Sequence, residues 1–347
     1  TGNGGTTPYA YNWSNGATAA NNSNIGAGTY TVTITDNNGC SITDSYSISE
    51  PTLLGASMVS IDSVSCYNLS DGSVEVSANG GSVPYQYAWS AGSGNQINNG
   101  LIAGTYTVTI SDDNGCDTIL TSTVDQPDSI SITISGTDLL CNNDSTGTAS
   151  AMATGGTGTL VYTWSNNETG MNISPLSSGS YTVTVSDANG CANDASITLS
   201  EPTVLSASTD VLFEPLCNGD ETGIIMATGD GGTLPYTIAW SNADTTFTIN
   251  DLGAGNFSAT ITDSNGCSIS TADTINQPDA LSLVFDVTNA ICSYDTNGSM
   301  EAAVDGGTSP FAYTWSTGDS INTIEELVIG TYTITITDTN GCVIIDS

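Results

Sequence analysis

Apolar and polar residues alternate with a period of two along most of the chain, most cleanly at Tyr181-Thr182-Val183-Thr184-Val185. That period turns one face of a strand to a core and the other to water. Across 127–201 the pattern predicts a first strand at Ile130–Ile134, ending near Leu140-Cys141, and a turn cluster over 142–147. A second strand over 148–154 is stopped by Gly155-Gly156, and a third covers 161–164 before the turn at Asn166-Asn167. A weaker strand at 171–173 ends near Leu176. Gly179 then leads into 181–185, Asp187-Ala188-Asn189-Gly190 turns, and the last strand runs from Cys191 to Leu199.

The whole pattern recurs. The stretch from Gly104 to Cys116 has four counterparts, ending at Cys40, Cys191, Cys267 and Cys342. Each copy has a Trp 17 residues before its aromatic and a Cys 10 residues after it. Four copies also carry a Cys 23 residues before the Trp, namely Cys66, Cys141, Cys217 and Cys292. The repeat length of 75 or 76 residues suits a small β-domain rather than a solenoid turn. Boundaries are expected at Glu50-Pro51, Gln126-Pro127, Glu201-Pro202 and Gln277-Pro278, because Pro cannot extend a strand ladder.

The expected segments are therefore 1–50 (the C-terminal part of a repeat), 51–126, 127–201, 202–277 and 278–347 (C-terminally short). Six or seven short strands around one Trp predict an all-β chain of tandem immunoglobulin-like β-sandwich domains of about 75 residues. Linkers of a few residues with no Gly/Ser tract predict an elongated rod. Junctions alternate between Ser-Glu-Pro-Thr and Gln-Pro-Asp, so the unit of duplication reads as a pair of 151 residues. Leu176, Gly179 and Tyr181 resemble a tyrosine corner, which Phe257 cannot make in the fourth copy.

Composition narrows the function. The chain has 347 residues with no Lys, Arg or His and 36 carboxylates, hence a formal charge of −36. Without those side chains there is no Ser-His-Asp or Cys-His nucleophile system, no Schiff-base lysine and no His metal site. Nothing can neutralise phosphates, so no nucleic acid is expected as partner. No hydrophobic run approaches a membrane span and no signal peptide is visible.

The nine cysteines admit two schemes. Pairing within a repeat joins Cys66 to Cys116, Cys141 to Cys191, Cys217 to Cys267 and Cys292 to Cys342, each over 50 positions. Pairing across a junction joins Cys40 to Cys66 and Cys116 to Cys141. In-line repeats would hold the second set tens of ångströms apart, beyond the roughly 7 Å that a disulfide spans between Cα atoms. The constant spacing favours the first set, with the partner of Cys40 outside the chain. A regular strand order, however, would put the two turns of one repeat at opposite ends. The register also reads as a window from a longer array.

Asp112, Asp187 and Asp263 open Asp-x-Asn-Gly turns, while Asp144, Asp220 and Asp295 follow the first Cys of their blocks. Pairing within repeats would bring the two sets together, making Ca²⁺ the candidate cation; turn-capping by Asx hydrogen bonds is the plainer reading.

Two patterns carry a family resemblance. Gly231-Gly232-Thr233-Leu234-Pro235-Tyr236 with Trp240-Ser241, and Leu101 through Cys116, resemble SprB-type repeats, which are similar to PKD-like domains. Such repeats occur in very large secreted surface proteins of gliding and related Bacteroidota. The resemblance covers essentially the whole chain; the third repeat departs from it with Thr159 where the others have Pro. It implies an extracellular, cell-surface array without catalytic residues, exported by the type IX route and anchored at the outer membrane through parts outside this chain. Asp-(Ser/Thr)-apolar tripeptides at Ser63, Thr118, Ser129, Thr274 and Ser320 look like O-glycosylation acceptors of that bacterial group. The expected function is the stalk or filament of an adhesin for gliding or attachment, touching polysaccharide or other cells, with lateral self-association of the rods. A multivalent polysaccharide-binding array is the alternative.

Overall fold

A computed structural model describes residues 1–347 and is built of strands and turns. By compactness it divides into two units: 1–132 with 153–161 and 185–193, and 133–152 with 162–184 and 194–347.

In the first unit, Ala10–Trp13, Gly28–Thr35 and Ser41–Ile48 form one antiparallel sheet in that order. The segment 51–126 has six strands: Gly55–Asp62, Gly72–Asn79, Gln86–Trp89, Ile97–Leu101, Gly104–Ser111 and Asp117–Val124. The first, second and fourth make one sheet, and the third, fifth and sixth make the other. Two antiparallel sheets so connected are an immunoglobulin-like sandwich. Val74 and Val76 of the second strand and Val108 and Ile110 of the fifth are fully buried between them. Their polar neighbours face outward, where Thr105 meets Thr123 at 3.4 Å and Thr107 meets Thr121 at 3.3 Å across the hairpin. The period-two pattern is thus the physical division between core and solvent.

The second unit repeats the design. In 202–277 the strands are Ser206–Phe213, Gly223–Asp230, Thr237–Trp240, Thr248–Leu252, Gly255–Thr262 and Ser268–Ile275, in the same two-sheet order. Ile225, Trp240, Ile249, Ile261 and Ile275 fill the core. In 278–347 Trp315, Ile324, Ile334 and Ile336 do so. The strands over 127–201 are Ser131–Thr137, Gly147–Thr154, Val161–Trp164, Asn172–Leu176, Gly179–Ser186 and Ala192–Leu199. Six strands are present, and the first runs to Thr137 rather than stopping at Ile134.

Two side chains tie each sandwich together. The indole nitrogens of Trp13, Trp89, Trp164, Trp240 and Trp315 each donate, at 2.9 Å, to the carbonyl six residues on. Tyr30, Tyr106, Tyr181 and Tyr332 donate to the carbonyl four residues back at 2.8–3.0 Å, which is the expected tyrosine corner. Phe257 makes no such bond, as its missing hydroxyl requires.

Strand direction decides where the loops lie. In 51–126 the loop between the first and second strands sits at the exit end, since the Val64 N–H donates to Asp125 O at 3.0 Å. The turn between the fifth and sixth strands sits at the entry end, where Gly81 N–H donates to Thr52 O at 2.7 Å and Asp113 N–H to Ser82 O at 2.9 Å. Gly80 permits this entry corner: its φ is +71°, and a Cβ there would lie 2.0 Å from Leu53 O. Eight-residue strands separate the two ends, roughly 25 Å at the usual rise.

Candidate functional site at the cysteine loops and turns

The disulfides are Cys66–Cys191, Cys141–Cys267 and Cys217–Cys342, with Cα separations of 5.7, 5.8 and 5.5 Å. The expected pairs Cys66–Cys116, Cys141–Cys191, Cys217–Cys267 and Cys292–Cys342 are overturned. Each would have to span a sandwich lengthwise, from exit loop to entry turn, against a Cα limit of about 7 Å. Instead the first Cys of one repeat joins the second Cys of the next, over 125 or 126 positions. Cys40, Cys116 and Cys292 are free thiols in this structure and exposed.

Around each bridge the same residues do the same work. In the first unit, Asn189 Nδ2 donates to Ser65 O at 2.9 Å, and Asn68 N–H donates to Gln126 Oε1 at 3.0 Å. In the second unit, Asn265 and Asn340 donate to Leu140 O at 2.9 Å and Leu216 O at 3.0 Å. Asn143 N–H donates to Glu201 Oε2 at 2.8 Å, and Gly219 N–H to Gln277 Oε1 at 2.9 Å. The Glu/Gln alternation of the junctions therefore conserves one acceptor oxygen while changing its charge. The donors Asn68, Asn143 and Gly219 all have positive φ, of 61°, 58° and 83°, a conformation that Asn and Gly tolerate. Asn142 and Asn218 add bonds of 3.0 Å to the carbonyls of Pro202 and Pro278.

The turn carboxylates hold their own turns. Asp187 Oδ1 accepts from Asn189 N–H and Cys191 N–H at 2.9 Å, and Oδ2 from Thr157 N–H at 2.8 Å. Asp263 and Asp338 repeat this set. Burial pushes these three carboxyls upward, but backbone N–H donors outweigh it and hold each below the ordinary Asp value. At Asp112 the largest causes are the Cys116 and Ser82 N–H groups, again lowering. Thus Asp-x-Asn-Gly-Cys is one device: Asp shapes the turn, Asn reaches the preceding repeat's loop, Gly supplies positive φ, and Cys makes the bond.

Of the cation candidates, Asp112, Asp187 and Asp263 are buried and engaged in this way. Asp144 binds Cys141 N–H and Thr146 N–H at 3.0 Å. Asp220 is exposed and lines an open cleft of about 480 Å³ with Asp279, Pro278 and the Cys217–Cys342 bridge, while Asp295 is half-buried. Nowhere do three or more carboxylate, thiol or imidazole side chains converge on a metal-sized site. The two Asp sets also lie at opposite ends of a repeat, because the pairing that would have joined them does not occur. Among the glycan acceptors, Ser63, Ser129, Thr274 and Ser320 are exposed and Thr118 is half-buried. What the residue pattern left hidden was the role of Asn189, Asn265 and Asn340. Their signal is an Asn at the same place before the Cys in every copy.

No curated protein matches the chain. Among solved structures, the N-terminal eight Ig domains of Down Syndrome Cell Adhesion Molecule are 10% identical, over 97% of this chain and 68% of that one, with a TM-score of 0.32. Immunoglobulin domains 1–5 of Sidekick-1 are 13% identical, over 98% of this chain and 91% of that one, with a TM-score of 0.28. The SprB repeat family matches at 59–94, 133–169, 209–245 and 284–320. With the six-strand pattern recurring around those matches, the chain is a tandem array of SprB repeats.

Proposed function

We propose that this array is a non-enzymatic, extracellular part of a bacterial cell-surface adhesin, serving as the stalk or filament that holds a binding element away from the cell. One observation carries the reading: the most strongly repeated residues, Asp-x-Asn-Gly-Cys and the loop around the preceding repeat's Cys, are engaged with each other. A surface built to grip a ligand would leave its repeated polar side chains free. Disulfides supply the compartment, since they persist in oxidising, extracytoplasmic surroundings. Attachment to polysaccharide or other cells then belongs to segments other than these repeats. The test applies labelled 1–347 to intact cells and to a panel of immobilised polysaccharides. Absence of saturable binding is expected, together with shortened reach when two repeats are deleted from the surface protein. Saturable binding of 1–347 alone would favour a multivalent polysaccharide-binding array.

A further inference from the structure

The three bridges enclose overlapping stretches of chain. The loop closed by Cys66–Cys191 overlaps that closed by Cys141–Cys267, which in turn overlaps that closed by Cys217–Cys342. Covalent connectivity alone then fixes how far the chain can be drawn out. From Cys66 the shortest bonded route to Cys342 crosses to Cys191, follows the backbone 26 positions to Cys217, and crosses again. Most of that backbone is already extended, because it contains the two eight-residue strands Ala192–Leu199 and Ser206–Phe213.

We propose that the disulfides form a load path that makes the array nearly inextensible. Tension entering at Cys66 leaves at Cys342 through two bridges and one short, pre-extended segment, bypassing the sandwich cores. Even with every repeat unfolded, Cys66 and Cys342 separate by no more than about 90 Å, against roughly 950 Å for the reduced chain. The Cys141–Cys267 bridge lies off this route. It is the reserve: with either neighbour broken, the shortest route detours through it and lengthens to 125 positions instead of opening fully. The inference goes beyond the stalk reading and is independent of what the array attaches to, since it needs no ligand.

Pulling single molecules through terminal handles tests it. Cys40, Cys116 and Cys292 are replaced by Ser throughout to prevent thiol exchange. The pull is made in buffer and again in guanidinium chloride, where the repeats are unfolded at the outset and bonding alone sets the limit. C267S is expected to reach the same final length as the oxidised parent. C191S and C342S are each expected to reach about 340 Å further, and the fully reduced chain about 850 Å further. The route is wrong if C267S lengthens as C191S does, or if C191S and C342S leave the limit unchanged. Unfolding steps in buffer that release more than about 90 Å between the two outer bridges of the oxidised chain would also overturn it.

Discussion

Phe257 stands where four other repeats place the hydroxyl of a tyrosine corner, and the carbonyl it would reach is that of Gly253. Restoring the hydroxyl with F257Y is expected to stabilise 202–277 by up to about 1 kcal/mol, and Y181F to cost 127–201 a similar amount. Both are read by chemical denaturation. The turn carboxylates make a pH prediction whose sign follows from the N–H donors around them. Asp263 is held below its ordinary value in the folded state. Its stabilising contribution is therefore complete above the unfolded pKa and is lost as pH falls through the lower, folded pKa. The melting temperature should drop as the solution is acidified below about pH 4. D263N should melt lower than the parent at neutral pH and show a shallower acid limb; an unchanged acid limb would assign the acid sensitivity to other carboxyls.

At the scale of strands and loops, the entry corner and the bridges can be tested separately. Gly155 has φ +85°, and a Cβ there would sit 2.1 Å from Ser129 O. G155A is expected to cost about 1–3 kcal/mol from the backbone conformation alone, with further loss from that collision, measured as a lower unfolding midpoint. Non-reducing peptide mapping after pepsin digestion should recover Cys141 linked to Cys267, and reduction should remove about 4–5 kcal/mol per bridge by the chain-entropy argument. A Cys141–Cys191 peptide would overturn the connectivity. The strands were legible because Val183 and Val185 alternate with Thr182 and Thr184, and burial follows that alternation residue by residue. The bridges were not legible from spacing. A constant 50 positions from Cys141 to Cys191 and a constant period are equally compatible with pairing inside one repeat or between successive ones. The discriminating fact is direction: strands of eight residues carry the loop of Cys141 and the turn of Cys191 to opposite ends. The cross-loop amide of Asn265 was hidden for the same reason, since its acceptor, Leu140 O, lies 125 positions away.

For the whole molecule, a charge of −36 with no basic side chain leaves repulsion that only solvent ions can relieve. With a Debye length of about 8 Å at physiological salt, added NaCl should raise the melting temperature gradually as carboxylates near one another are screened. Millimolar Ca²⁺ at constant ionic strength is expected to add nothing that a chelator reverses, because the turn carboxylates are already engaged by N–H groups. A chelator-reversible rise would instead mark a resident cation, and Asp220 and Asp279 would be the first pair to substitute. The forward-reaching bridges carry a further consequence, for how such arrays change in length between generations. Each leading cysteine meets the trailing cysteine of whichever repeat comes next. Recombination that adds or removes whole periods therefore leaves every interior thiol with a mate in the correct geometry. A foreign domain inserted between two repeats would strand one thiol on each side of itself. Selection on the thiols alone thus favours homogeneous expansion and contraction over mosaic insertion, and copy number becomes the dimension along which the array can drift without penalty to its folding.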